Sequence, residues 1–321
     1  MTSLLEVQDL RVHFPARRRG WRPPAVVRAV DGVSLRVEAG ETVGVVGESG
    51  CGKTTLARAV LRLIPPTSGR VLLDGEDLGT RSGKELRRCR RRLQMIFQHP
   101  LAALDPRMTV AQILGEALDL HRLALGRPDR QQRLAELLEV VGLDVAHAAR
   151  YPHELSGGQR QRIGIARALA VEPALVVCDE PVSALDVSVQ AQIVNLLADL
   201  QERRRLSYLF IAHDLAVVEH LSRRILVMYL GRVVEAGPAH ALVSTPRHPY
   251  TQALVAAVPV FRAQARSPSP LHGEPPSPLH PPSGCPFHPR CPLAKRRCRT
   301  EAPALRGIGT EREVACHVVA G

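Results

Sequence analysis

The string Gly47-Glu48-Ser49-Gly50-Cys51-Gly52-Lys53-Thr54 fits the pattern G-x-x-x-x-G-K-S/T, and it lies between a stretch that reads as a buried strand, 41–46, and a helical pattern, 54–61. Strand, loop and helix in that order predict a phosphate cradle. Glycines let consecutive backbone N–H groups turn inward, and the partial positive charge of the helix N-terminus falls on the same point. Lys53 is placed to reach the β- and γ-phosphates of a nucleotide, and the Thr54 hydroxyl to join a Mg²⁺ shell, with Thr55 beside it on the first helical turn.

A second group ends another apolar run, Leu175-Val176-Val177-Cys178-Asp179-Glu180. A run this short and apolar reads as a central parallel strand, which delivers its last residues to the carboxyl edge of a sheet where α/β proteins bind ligands. Side chains alternate along a strand, so the two acids take different work. Asp179 reads as a metal partner, and Glu180 as the group that orients and deprotonates an attacking water. Gln98 follows Leu93–Phe97 and His213 follows Tyr208–Ala212, which makes both polar tips of strands. Ser156-Gly157-Gly158-Gln159 opens a helical run reaching Leu169. Its first-turn amides and the Ser156 hydroxyl predict an outward-facing anion site.

These groups need a large scaffold, and 321 residues with 45% apolar content supply one. Between Gln98 and Ser156 the pattern is helical, over 110–118 and 131–140. No run approaches the roughly 20 apolar residues that cross a bilayer, and Met1-Thr2-Ser3-Leu4-Leu5-Glu6 lacks a cationic leader, so the chain reads as soluble and cytosolic. The formal charge of +12 is nearly all arginine, the lysines being Lys53, Lys84 and Lys295. We read it, including the cluster 87–92, as solvated surface rather than as a nucleic-acid module. Proline crowds 267–284, which reads as a linker, and Cys285, Cys291, Cys298 and Cys316 follow it. Four close cysteines in a reducing compartment suggest a soft metal site rather than disulfides.

In chain order these motifs resemble the ATP-binding subunit of an ABC transporter, and the likeness covers nearly the whole sequence. It implies an α/β fold: a P-loop NTPase (RecA-like) core with an antiparallel β subdomain over 1–97 and 161–245, and an inserted α-helical subdomain over 98–160. A cysteine-containing C-terminal extension over 246–321 would complete it, with the linker at 267–284 and the cysteines across 285–316. The likeness makes Gly47 to Thr54 the phosphate loop and Leu155 to Gln159 the family signature. Gln98 becomes the glutamine that senses Mg²⁺ and the transmembrane partner, and Asp179 and Glu180 become the metal-associated acid and the catalytic base. Ser183 to Asp186 form the loop that crosses the dimer, and His213 is the γ-phosphate switch. Phe14 resembles the aromatic that stacks on adenine, with Trp21 as the alternative.

The same resemblance implies partners. One phosphate loop and one signature make two halves that do not serve each other, so a second ABC ATPase subunit, a copy or a paralogue, must complete each ATP site. The helical subdomain would receive coupling helices of permease subunits at the cytoplasmic face of the membrane, with an extracytoplasmic solute-binding protein reached indirectly. Two segments, 98–110 and 247–259, resemble the dipeptide/oligopeptide importer branch, to which nickel importers also belong. That branch implies a 4Fe-4S cluster on the four cysteines, with zinc the runner-up and His288 or His317 as a substitute ligand. The expected cofactors are ATP and Mg²⁺. A soluble ABC ATPase acting on ribosomes or DNA is the other functional class; such proteins carry paired cassettes or a coiled-coil insertion, and neither is seen here.

Overall fold

The computed structural model describes residues 3–15, 26–258, 273–309 and 311–319; Trp21, Pro259 and the linker residues 267–272 lie outside them. The strands are Leu5–Pro15 (β1), Val26–Val37 (β2), Thr42–Val46 (β3), Ser68–Leu73 (β4), Glu76–Asp77 (β5), Leu93–Ile96 (β6), Leu175–Asp179 (β7), Ser207–Ala212 (β8), Arg224–Tyr229 (β9), Arg232–Pro238 (β10), Arg306–Gly307 (β11) and Glu313–Val314 (β12). The chain divides into two compact units, one of residues 1–37, 42–79 and 210–321, the other of 38–41 and 80–209.

In the first unit, apolar residues alternate along β1 so that Leu5, Val7, Leu10 and Val12 are buried. The register shifts between Val7 and Leu10, where Asp9 takes a left-handed φ of 41°. β1 is flanked by β2 and β4 in an antiparallel sheet of order β2-β1-β4-β5, as expected for the antiparallel β subdomain. The remaining strands of this unit run β11-β12-β10-β9-β3. β3 is buried along its whole length and pairs in parallel with β9, Val43 opposite Arg224 and Val46 opposite Val227. Burial on both faces is what lets Val43–Val46 run without the alternation of a half-exposed strand. The helix Lys53–Val60 follows β3 through the glycine loop, which is the strand–loop–helix unit of a P-loop NTPase.

In the second unit β6 and β7 pair in parallel, Leu93 opposite Leu175 and Ile96 opposite Cys178. Strand β8 runs across the division between the units. The helices Val110–Leu120 and Arg127–Val140 appear where the apolar spacing asked for them, each a little longer than read. A capping box starts the first: Gln112 N–H donates to the Thr109 hydroxyl at 3.3 Å, and Thr109 N–H to Gln112 Oε1 at 2.8 Å. Val110, Ile113, Leu114 and Leu118 then face inward with helical spacing. No helix among the described residues is long and apolar enough to cross a membrane.

The C-terminal segment is fastened more firmly than a tail. The helix Pro249–Ala257 is capped by His248, whose Nδ1 accepts from Tyr250 N–H at 3.1 Å. Burial lowers the His248 pKa to about 4, which keeps the ring neutral and able to accept. Beyond the linker, β12 adds to β10, with Glu235 opposite Val314. Glu235 is fully buried; it accepts from Arg312 at 2.8 Å and from the N–H groups of Arg247 and His248 at 2.9 and 2.8 Å.

Candidate functional site

Two glycines of the loop are dictated by space. A Cβ on Gly47 would stand 2.2 Å from the Met228 carbonyl oxygen, and one on Gly52 would stand 2.0 Å from that of Ala29. Gly52 also sits at φ 109°, a conformation that side chains oppose. The loop therefore wraps tightly and delivers Lys53, only 4% exposed, to the first turn of the helix. Lys53 Nζ donates to the carbonyls of Gly47 at 2.7 Å and Glu48 at 3.1 Å, which draws the ammonium over the loop. A buried ammonium in such a cradle favours a phosphate anion strongly. Burial pushes the Cys51 thiol up against the pull of Lys53, so this side chain adds no charge to the cradle.

In the other unit, β7 ends with Asp179, 3% exposed, and the next residue leaves the strand at φ 48°. That left-handed turn, rare for a glutamate, re-aims the Glu180 side chain, and the Glu180 carbonyl is held by the Ser183 hydroxyl at 3.1 Å. Gln98 Nε2 donates to Glu180 Oε2 at 2.9 Å. The two residues lie 82 positions apart, and the parallel pairing of β6 and β7 brings their strand ends side by side. Asp179 carries hard oxygen donors of the kind Mg²⁺ takes, as does Thr54 within its own unit.

Ser156 caps the helix Gly157–Leu169 through a capping box: its hydroxyl accepts from Gln159 N–H at 3.2 Å, and Gln159 Oε1 accepts from Ser156 N–H at 2.9 Å. The Ser156 hydroxyl, expected to face outward as part of an anion site, is engaged in the cap, while Ser156 itself stays exposed. The Gly157 and Gly158 amides stand in the first turn, where a helix offers no carbonyl of its own. Gln159 Nε2 approaches His147 Nε2 at 3.2 Å, a contact the motif did not signal. Asp186 caps the helix Val187–Arg204 by position without a side-chain bond, and both Asp186 and His213 are exposed. Phe14, on β1, is 41% exposed.

Along Val110–Leu120 an open cavity of about 410 Å³ is lined by Met108, Gln112, Glu116, Asp119, Leu120 and Arg130. Burial pushes the Cys285 thiol up to about 11, and Cys298, Cys291 and Cys316 add to the rise. Backbone N–H groups of Lys295 and Val318 reach the sulfurs of Cys298 and Cys316 at 3.4 Å each, a polarity that suits thiolates. The donors fit a soft metal in type and number. Among the described residues, however, no group of three or more His, Cys, Asp or Glu is drawn together so as to hold a metal ion.

Comparison with known proteins gives concordant matches. The family model described as ABC transporter matches residues 30–183, and that of the oligopeptide/dipeptide transporter C-terminal region matches 234–298. A probable peptide ABC transporter ATP-binding protein of Sinorhizobium fredii, y4tS, is 56% identical over 319 residues, spanning 98% of this chain and 90% of that protein. The oligopeptide transport ATP-binding protein OppF of Salmonella typhimurium is 52% identical across 95% of this chain and 93% of its own length. The di/tripeptide transport ATP-binding protein DppF of Pseudomonas aeruginosa is 49% identical across 99% and 98%. Among solved structures, the dimeric post-hydrolysis state of the ATP-binding cassette MJ0796 with ADP and Pi superposes with a TM-score of 0.65 at 29% identity, covering 73% of this chain and 98% of that one.

Proposed function

This chain belongs to the ABC transporter family, and on that footing we propose that it is the ATP-hydrolysing subunit that energises import of dipeptides or oligopeptides through a membrane permease. The observation that carries the reading is the phosphate loop, with its forced glycines and buried Lys53. Lys53 and the loop amides of 47–54 neutralise and orient the nucleotide phosphates. Mg²⁺, held through Thr54 and Asp179, would offset charge on the phosphate oxygens. Glu180 orients and deprotonates the attacking water, and Gln98, by holding its carboxylate, ties that act to the hinge of the helical subdomain. His213 serves the γ-phosphate, and Phe14 stacks on adenine.

A second ATPase subunit supplies the matching signature, so that Ser156, Gly157, Gly158 and Gln159 of one chain face the nucleotide of the other. ATP then acts as glue between them. Hydrolysis removes the γ-phosphate bridge and with it the preference for the closed dimer. Shifting such an equilibrium from mostly open to mostly closed takes about 5.5 kcal/mol of differential binding, within reach of two sites of charge-assisted hydrogen bonds. We place the chain at the cytoplasmic face of the membrane, with the cavity beside Leu120 receiving a permease coupling helix.

Peptide cargo is tested by reconstituting the chain with its permease and solute-binding partners in proteoliposomes. Dipeptides or oligopeptides are expected to raise ATP hydrolysis several-fold; stimulation by nickel and not by peptides would move the assignment to the nickel branch.

The four cysteines form the donor set we assign to a 4Fe-4S cluster, zinc being the alternative. Bound there, it would cross-link the segment that follows the linker. Anaerobic purification should yield about four iron and four sulfide per chain. Protein free of iron, sulfide and zinc would retire the assignment.

A further inference from the structure

Glu48 sits at a variable position of the phosphate loop, and a carboxylate there is a liability. Beside a site for a polyanionic ligand it repels what the loop must bind. The structure answers that charge from the far end of the chain. Arg290, in the short turn between Cys285 and Cys291, places both of its terminal nitrogens on Glu48, at 2.7 Å to one carboxylate oxygen and 2.9 Å to the other. The arginine side chain is 5% exposed and that of the glutamate 24%. A two-pronged pair of this kind fixes orientation as well as charge.

The contact is built into a wider seat. Arg290 lies over the Tyr229 ring, 5.9 Å from its centroid, and donates to the Tyr229 hydroxyl at 3.4 Å. Phe287, three residues earlier and 1% exposed, packs against Tyr229 and Tyr250 with centroids 5.3 and 5.4 Å away. The Tyr250 hydroxyl in turn accepts the backbone N–H of Glu48 at 2.8 Å. Glu48 is thus gripped twice by the C-terminal extension, at its carboxylate by Arg290 and at its amide by Tyr250. Its own carbonyl is one of the two that hold Lys53.

We propose that Arg290 is a positioning residue for nucleotide binding: it cancels the Glu48 charge and locks the phosphate loop, making ATP affinity depend on the cysteine-bearing extension. The inference rests on the reading of 47–54 as an ATP-binding loop. It gives the extension a task at the nucleotide.

The test titrates the full-length chain with a fluorescent ATP analogue and measures the KM for ATP in the assembled transporter. Arg290→Ala should raise Kd and KM by about tenfold with kcat little changed. The deficit should shrink at high salt, which screens the bared Glu48 carboxylate, and adding Glu48→Gln should recover part of it. Wild-type affinity in a folded Arg290→Ala chain overturns the proposal. So does a loss that neither salt nor Glu48→Gln relieves, which would leave Arg290 as packing only. If Arg290→Ala does not fold, Arg290→Lys carries the test: it keeps the charge without the fork, so an intermediate loss is expected and unchanged affinity overturns the proposal. Failure of the unaltered chain to bind the analogue would instead defeat the ATP-binding reading.

Discussion

Replacing Glu180 with glutamine will leave ATP binding intact, reduce hydrolysis by a factor on the order of a thousand, and hold the two ATPase subunits together. The substitution changes one atom. The glutamine carbonyl still accepts from Gln98 Nε2, as Glu180 Oε2 does at 2.9 Å, so the strand end and the left-handed turn at this residue keep their shape. What disappears is the capacity to take a proton from water. ATP enters the phosphate loop as before, the γ-phosphate bridge forms, and the step that dissolves it does not occur. Single-turnover hydrolysis, ATP affinity and size-exclusion mass measured on the same preparation check all three parts. A near-normal rate in Glu180→Gln would take the base role away from this residue.

The parts of the site that were legible in the sequence are those whose physics is local. The phosphate loop announces itself because its glycines fall within eight residues beside a lysine and a threonine, and Gly52 is demanded locally by its φ of 109°. The signature is legible as a cap, a serine with a glutamine three residues on, and that box is formed. Helices with full apolar faces, such as Val110–Leu120, were likewise readable.

Contacts made by topology were not. Nothing near Gln98 points to Glu180, and nothing in the cysteine segment points to Glu48, 242 positions away from Arg290. The anchors of the C-terminal segment include β12, two residues long and too short to show a period, and the Arg312–Glu235 pair, whose buried carboxylate looks on paper like any surface acid. His147, which meets the Gln159 side chain, lies in a short turn with no motif around it.

The largest remaining effect concerns the signature. A bulky, charged group at Ser156 or Gly157 should abolish the ATP site of the partner subunit while leaving this chain's own phosphate loop untouched. Ser156 is exposed, so the new side chain projects outward. Losing its cap costs only about 1 kcal/mol, too little to unfold the chain. At Gly157 the nearest obstacle to a Cβ is a flexible Leu185 methyl group at 3.3 Å, which can give way. Gly158 is a poorer choice, since a Cβ there would meet Val189 at 2.6 Å and blur a local clash with a lost interface.

That two chains clasp each nucleotide is tested most directly by steady-state ATP hydrolysis by this subunit assembled with its mate, with Ser156→Arg and Gly157→Arg introduced here and nucleotide binding to its own loop followed in parallel. The expected result is retained binding with hydrolysis at the partner's site reduced at least a hundredfold. Unchanged hydrolysis at that site would contradict the shared-site mechanism.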